Sequence, residues 1–113
     1  VGKWLKPAVR LLKSQAGVLT TLPVWLFSSG PTGSGDPEAL LKGWRFPESL
    51  KPVADQIKPV DIAVFHGRLV MDELFWLHRK MVRMVNAPAG DFRDWNAIDA
   101  WANGIARFLR EKE

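Results

Sequence analysis

Val60-Asp61-Ile62-Ala63-Val64-Phe65 runs directly into His66-Gly67-Arg68, and an earlier stretch, Leu22-Pro23-Val24-Trp25-Leu26-Phe27, runs into Ser28-Ser29-Gly30-Pro31-Thr32-Gly33-Ser34-Gly35. Both are short apolar runs closed by turn-forming residues. They are too short for a buried helix, and their near-continuous apolar character suits strands covered on both faces. The Ser/Gly/Pro/Thr tract after the first run reads as a loop by composition. These two runs decide the fold class, because the patterned stretches around them are helical, while Gly43–Lys58, with Pro47 and Pro52, is hard to read.

Working outward, apolar residues recur at Trp4, Ala8, Leu11, Leu12, Ala16 and Leu19, a single stripe along a helix. Pro7 fits its first turn and Gly17 is a plausible stop. Glu38 to Lys42 suits a short helical turn, and Pro52–Ile57 a short helix. Asp72 is placed to cap a helix reaching about Val85, with a core stripe at Leu74, Leu77, Met81, Met84 and Val85. Asp94 caps a last helix whose stripe is Ile98, Trp101, Ala102, Ile105, Phe108 and Leu109. Strands alternating with helices predict an α/β chain with a parallel sheet. Two buried-type strands want neighbours, so the pattern points to missing strands or to a partner chain. The opening Val1-Gly2-Lys3 has no initiator Met and reads as a fragment or a processed product.

Composition narrows the function. The 113 residues suit one domain, and 47% hydrophobic with 25% charged residues is globular rather than disordered. The net charge of +4 fits an anionic ligand or surface, but the charges are interspersed and no nucleic-acid motif is present, so no nucleic-acid partner is expected. The absence of cysteine excludes disulfides, thiolate metal sites and cysteine nucleophiles. His66 and His78 are the only histidines and give no metal signature. No serine lies in a Gly-x-Ser-x-Gly elbow. No signal peptide or spanning segment is read, so a cytoplasmic protein is expected, with peripheral membrane contact at most. For that contact Trp76, Arg79, Lys80 and Arg83 share one helix phase; a solvated face is the default reading of them.

Several stretches together resemble bacterial flavodoxin-domain proteins: Gly2-x-Trp4-Leu5-Lys6-Pro7, Pro23-Val24-Trp25-Leu26-Phe27-Ser28-Ser29-Gly30-Pro31, Phe65-His66-Gly67-Arg68-Leu69, Met81-Val82-x-Met84-Val85, Gly90-Asp91-Phe92-Arg93-Asp94-Trp95 and Ile98-x-x-Trp101-Ala102. The group is similar to FMN-dependent, quinone-coupled protoporphyrinogen IX dehydrogenases. The resemblance implies a sheet ordered 2-1-3-4-5 with FMN at the carboxyl ends of its strands. Leu22–Phe27 would be strand 4 and Val60–Phe65 strand 5, giving a partial flavodoxin-like fold lacking its three N-terminal strands. The family's Ser/Thr/Gly-rich phosphate loop belongs to that missing part.

The resemblance places Ser28, Ser29, Gly30, Pro31, Thr32 and Gly33 beside the isoalloxazine ring, with Gly2 and Trp4 in the preceding loop. Trp4 either stacks on the flavin or anchors its helix, whose apolar phase it shares. His66 and Gly67 would line the adjacent side, and Arg68 would meet an acidic substrate group such as a propionate. No catalytic residue is identified. The expected function is FMN-dependent electron or hydride transfer, linked to a porphyrinogen and a quinone and so to heme biosynthesis. The alternative is a non-catalytic half-domain or interaction module, assembled with an upstream half or as a homodimer.

Overall fold

The computed structural model describes residues 4–41, 44–70, 80 and 89–112. In chain order these form α1 (Lys6–Ser14), α2 (Ala16–Leu19), β1 (Trp25–Ser29), α3 (Pro37–Leu40), a 3-10 turn (Glu48–Leu50), α4 (Lys51–Ile57), β2 (Asp61–Phe65), β3 (Arg68–Leu69), β4 (Gly90–Asp91) and α5 (Trp95–Glu111). β1 and β2 pair in a parallel two-stranded sheet, the α/β arrangement expected. The helix expected over Asp72–Val85 lies outside the described residues, with His78, Trp76, Arg79 and Arg83. Lys80 alone of that stretch is described, helical and exposed.

The described chain divides into two compact units, one of Val1–Ser28 with Glu38–Val64 and one of Ser29–Pro37 with Phe65–Glu113. The first unit has its own core of Leu12, Ala16, Leu50 and Ile57, with Trp4, Val9, Leu19, Val24, Leu26, Phe46 and Val53 packed around it. Leu50 is 1% exposed, the deepest of them. Removing a leucine side chain of that kind from water is worth about 1.5–3 kcal/mol. α4 enters through Pro52 and leaves through Lys58, which takes the left-handed conformation (φ 55°) while its N–H still bonds the Ala54 carbonyl at 2.8 Å. Pro59 follows and disfavours any further helix. The chain then turns straight into β2, and Val60 N donates to the Val24 carbonyl at 2.7 Å.

Two expectations about this unit are corrected. The first helix is not continuous. It breaks at Gln15 (φ −106°), and Gly17 lies inside α2 instead of ending it. The end comes where the hydroxyls of Thr20 and Thr21 accept no helical role and instead donate to the carbonyls of Ala16 and Val18, at 2.8 and 2.7 Å. Such side-chain bonds satisfy the last carbonyls of a helix. The buried stripe accordingly runs through Trp4, Val9, Leu12, Ala16 and Leu19, while Ala8 is exposed and Leu11 is 63% exposed. The first strand is also not covered on both faces. It lies at Trp25–Ser29, past Pro23, which has no N–H to give a ladder, and Phe27 is 58% exposed.

In the second unit, α5 starts where the Asp94 carboxylate accepts the Ala97 N–H at 3.0 Å, the cap expected from sequence. Ile98, Trp101, Ile105 and Phe108 are half-buried along one face. Ala102 and Leu109, counted in that stripe, are exposed. Trp101 meets Phe65 edge to face, with ring centroids 5.4 Å apart at 72°. An aromatic pair of this geometry adds about 0.5–1.5 kcal/mol beyond burial. β3 and β4 form a short antiparallel ribbon, Arg68 opposite Asp91 and Leu69 opposite Gly90, which sequence patterning did not anticipate.

Candidate functional site

The residues singled out from sequence fall into two groups, one in each unit. In the first unit Trp4 and Ser28 are brought together. The indole Nε1–H donates to Ser28 Oγ at 2.8 Å, and Ser28 Oγ–H donates to the Arg45 carbonyl at 3.0 Å. A serine hydroxyl has one donor hydrogen, and here it is spent on a backbone carbonyl. Ser28 is 7% exposed, and Trp4 also packs against the core. Arg45 extends the network, its guanidinium donating to the Ile62 carbonyl and lying 3.6 Å from the Asp61 carboxylate. Trp4 thereby ties the start of α1 to β1. Gly2 lies outside the described residues.

In the second unit the loop after β1 folds onto the end of β2. Gly30 N donates to the Phe65 carbonyl at 3.3 Å, and Gly67 N donates to the Pro31 carbonyl at 2.9 Å. Gly67 is buried, and a Cβ there would sit 3.1 Å from Gly30 Cα and 3.2 Å from its N and O. A side chain there would need the Gly30 backbone to give by a few tenths of an ångström. His66 is 9% exposed. Its Nδ1 lies 3.1 Å from the Pro31 carbonyl oxygen and its Nε2 2.6 Å from that of Gly35. Both ring nitrogens are therefore directed at backbone of this same loop. Gly33 (φ 101°) and Gly35 (φ 109°) supply the left-handed turns that bring the second carbonyl back.

Arg68 is exposed, on β3 opposite Asp91. Asp91 is held chiefly by Arg93, whose Nε and Nη2 bond its two carboxylate oxygens at 2.8 and 2.6 Å while the Arg93 backbone N–H adds a third bond at 3.1 Å. These bonds, with the charges of Arg93 and Arg68, pull the Asp91 carboxyl down to about 2. The same pairing raises Arg93, whose guanidinium also lies 5.2 Å over the Trp95 ring.

A family model for the flavodoxin domain matches residues 1–96. The chain belongs to the flavodoxin-domain family. Membership carries an FMN-linked redox function at the coarse level, since flavodoxin domains usually bind FMN. No curated protein and no solved structure matches it. Among the described residues of this flavodoxin-domain chain, no helix is long and apolar enough to cross a membrane, and no group of acidic residues and histidines is placed to hold a metal ion.

Two further features belong to this loop. Among the described residues, nothing lies within 4 Å of the position a Gly30 Cβ would take. The Thr32 hydroxyl is buried and has no hydrogen-bond partner among the described residues. A buried hydroxyl without a partner costs about 1–3 kcal/mol, and native structures keep few of them. Neither feature was visible in sequence, where Thr32 was one of several small polar residues in a glycine-rich tract.

Proposed function

We propose that this chain supplies the ring-flanking part of a flavin site in an FMN-dependent redox protein. The observation that carries the proposal is the Thr32 hydroxyl, buried and without a hydrogen-bond partner among the described residues, in the same loop as Gly30. Ser29, Gly30, Pro31, Thr32 and Gly33 would hold the ring. Bound FMN would supply hydride and electron transfer. The chain's own residues do the positioning: Gly67 lets the loop seat closely, His66 fastens it, and Thr32 offers a hydrogen bond to a polar ring edge. Trp4 and Ser28 serve as scaffold through their own hydrogen bonds.

The finer reading is hydride transfer from a propionate-bearing porphyrinogen towards a quinone. It rests on the resemblance, supported by the exposed Arg68, which suits a carboxylate. An interaction half-domain is the second reading, favoured by Phe27, 58% exposed on a two-stranded sheet.

The test is titration with FMN and with riboflavin, followed by fluorescence quenching, on the parent chain and on Thr32→Val. Because the contacts proposed are to the ring, both flavins bind with similar affinity. Thr32→Val weakens both by about tenfold, the value of one hydrogen bond, while flavin-free stability holds or rises because a buried orphan is removed. Equal affinity in parent and variant refutes the assignment.

A further inference from the structure

We propose that the outer face of α1 and α2 docks on an anionic lipid bilayer. The inference goes beyond the flavin reading and does not depend on it. It starts from where the charge sits. Of the 16 cations, only Lys3, Lys6, Arg10 and Lys13 precede Asp36, the first acid, and the other twelve equal the 12 acids in number. The whole net charge of +4 is therefore carried between Lys3 and Lys13. Three of these cations belong to α1, where Lys6, Arg10 and Lys13 stand at i, i+4 and i+7 on a single face. All three are exposed, and neither α1 nor α2 has an acidic residue to pair with them.

A second, apolar row runs beside the basic one. Leu11 is 63% exposed, Val18, seven residues on, is 57% exposed, and Leu22, just past α2, is 53% exposed. At about 100° per residue, the basic row and Leu11 lie on either side of Pro7 and Ser14. Both rows therefore belong to the half of α1 opposite the buried Leu12 and half-buried Val9, and Pro7 and Ser14 between them are exposed too. Aliphatic side chains flanked by cations on one solvent face are what a segment lying on a membrane presents: the aliphatics enter the acyl boundary and the long basic side chains reach the headgroups. A bilayer suits these residues better than an acidic protein does. Its charge is of one sign across the whole surface, which matches a face of cations without acids. Protein interfaces draw their anchors from Trp, Tyr and Arg, with Leu and Val under-represented, whereas acyl chains accept aliphatic side chains without a matching pocket.

The experiment uses the flavin-free chain, so its failure is separable from failure of the flavin reading. Co-sedimentation is measured with vesicles of phosphatidylcholine alone and of phosphatidylcholine mixed with phosphatidylserine, at low and at high salt. The chain partitions onto the mixed vesicles and not onto the neutral ones, and salt weakens the partition. Lys6→Gln, Arg10→Gln and Lys13→Gln each lower the partition coefficient about fivefold. Leu11→Ala lowers it about tenfold. Lys112→Gln, on an exposed cation at the far end of the chain, changes it less than about twofold. All the substituted side chains are exposed, so the far-UV circular dichroism of the variants matches that of the parent. Equal partition onto neutral vesicles, or none onto mixed vesicles at low salt, overturns the proposal. So does a loss in Lys112→Gln as large as in the α1 variants. Binding that ignores Leu11→Ala and is matched by binding to polyglutamate marks a general polyanion surface, such as an acidic protein would meet, and overturns the bilayer assignment.

Discussion

Ser28→Ala tests the first unit's hydrogen-bond chain. The substitution removes a hydroxyl that both accepts the Trp4 indole N–H at 2.8 Å and donates to the Arg45 carbonyl at 3.0 Å. Two groups then lose their partner in a part-buried setting. An unsatisfied buried polar group costs about 1–3 kcal/mol, and partial exposure puts these two near the low end, for a sum of about 2 kcal/mol. For a chain of this size that lowers Tm by roughly 10 °C. The assay is thermal and urea unfolding of the parent, Ser28→Ala, Trp4→Phe and the double variant. Trp4→Phe removes only the donor end, so the double variant loses less than the sum of the singles, with a coupling of about 1 kcal/mol. Flavin affinity, measured well below Tm, is unchanged in Ser28→Ala. A loss under about 0.5 kcal/mol together with strict additivity would refute the network, since distant independent sites behave that way.

The second unit and α4 yield further tests. Gly67→Ala places a Cβ 3.1 Å from Gly30 backbone atoms, and urea unfolding should show a loss of about 1–3 kcal/mol with the Gly30 and Gly67 amides newly exchangeable. Lys58→Gly relieves a left-handed non-glycine residue at the end of α4 and should raise stability by up to about 1 kcal/mol in the same assay. Asp94→Ala removes the cap of α5 and should cost about 1 kcal/mol. Asp91 is lowered to about 2 by Arg93, so its folded value lies below its unfolded one. Its contribution is therefore complete above the ordinary carboxylate range of about 4 and fades as pH falls towards 2. Asp91→Asn should flatten that part of the acid-unfolding curve and slightly lower stability at neutral pH, where the contribution is complete.

The two strands and the last helix were legible because their signals are local. Val60–Phe65 is an apolar run closed by His66-Gly67, and Asp94 precedes a regular 3.6-residue stripe. The break at Gln15 was not, because an apolar stripe continues across it in phase; nor was the end of α2, which depends on hydroxyls of Thr20 and Thr21 reaching back to carbonyls. Phe27 read as buried from its apolar neighbours, but on β1 it is more than half exposed. The β3–β4 ribbon joins Arg68 to Asp91 across more than twenty residues, and two-residue strands carry no periodicity. At the candidate site, the glycine-rich composition located the loop. What it could not show was the division of labour within it: His66 and Gly67 hold backbone, Ser28 belongs to a different network, and Thr32 is left with an unused hydroxyl.

The central claim is that the loop after β1 faces a flavin ring, and amide chemical-shift mapping of the isotopically labelled chain during FMN addition tests it most directly. The account predicts saturable shifts at Gly30, Thr32, Gly33, Ser34 and Gly35, reproduced by riboflavin and diminished in Thr32→Val. Unmoved loop amides at high micromolar flavin, or saturable shifts confined to other parts of the chain, would contradict it.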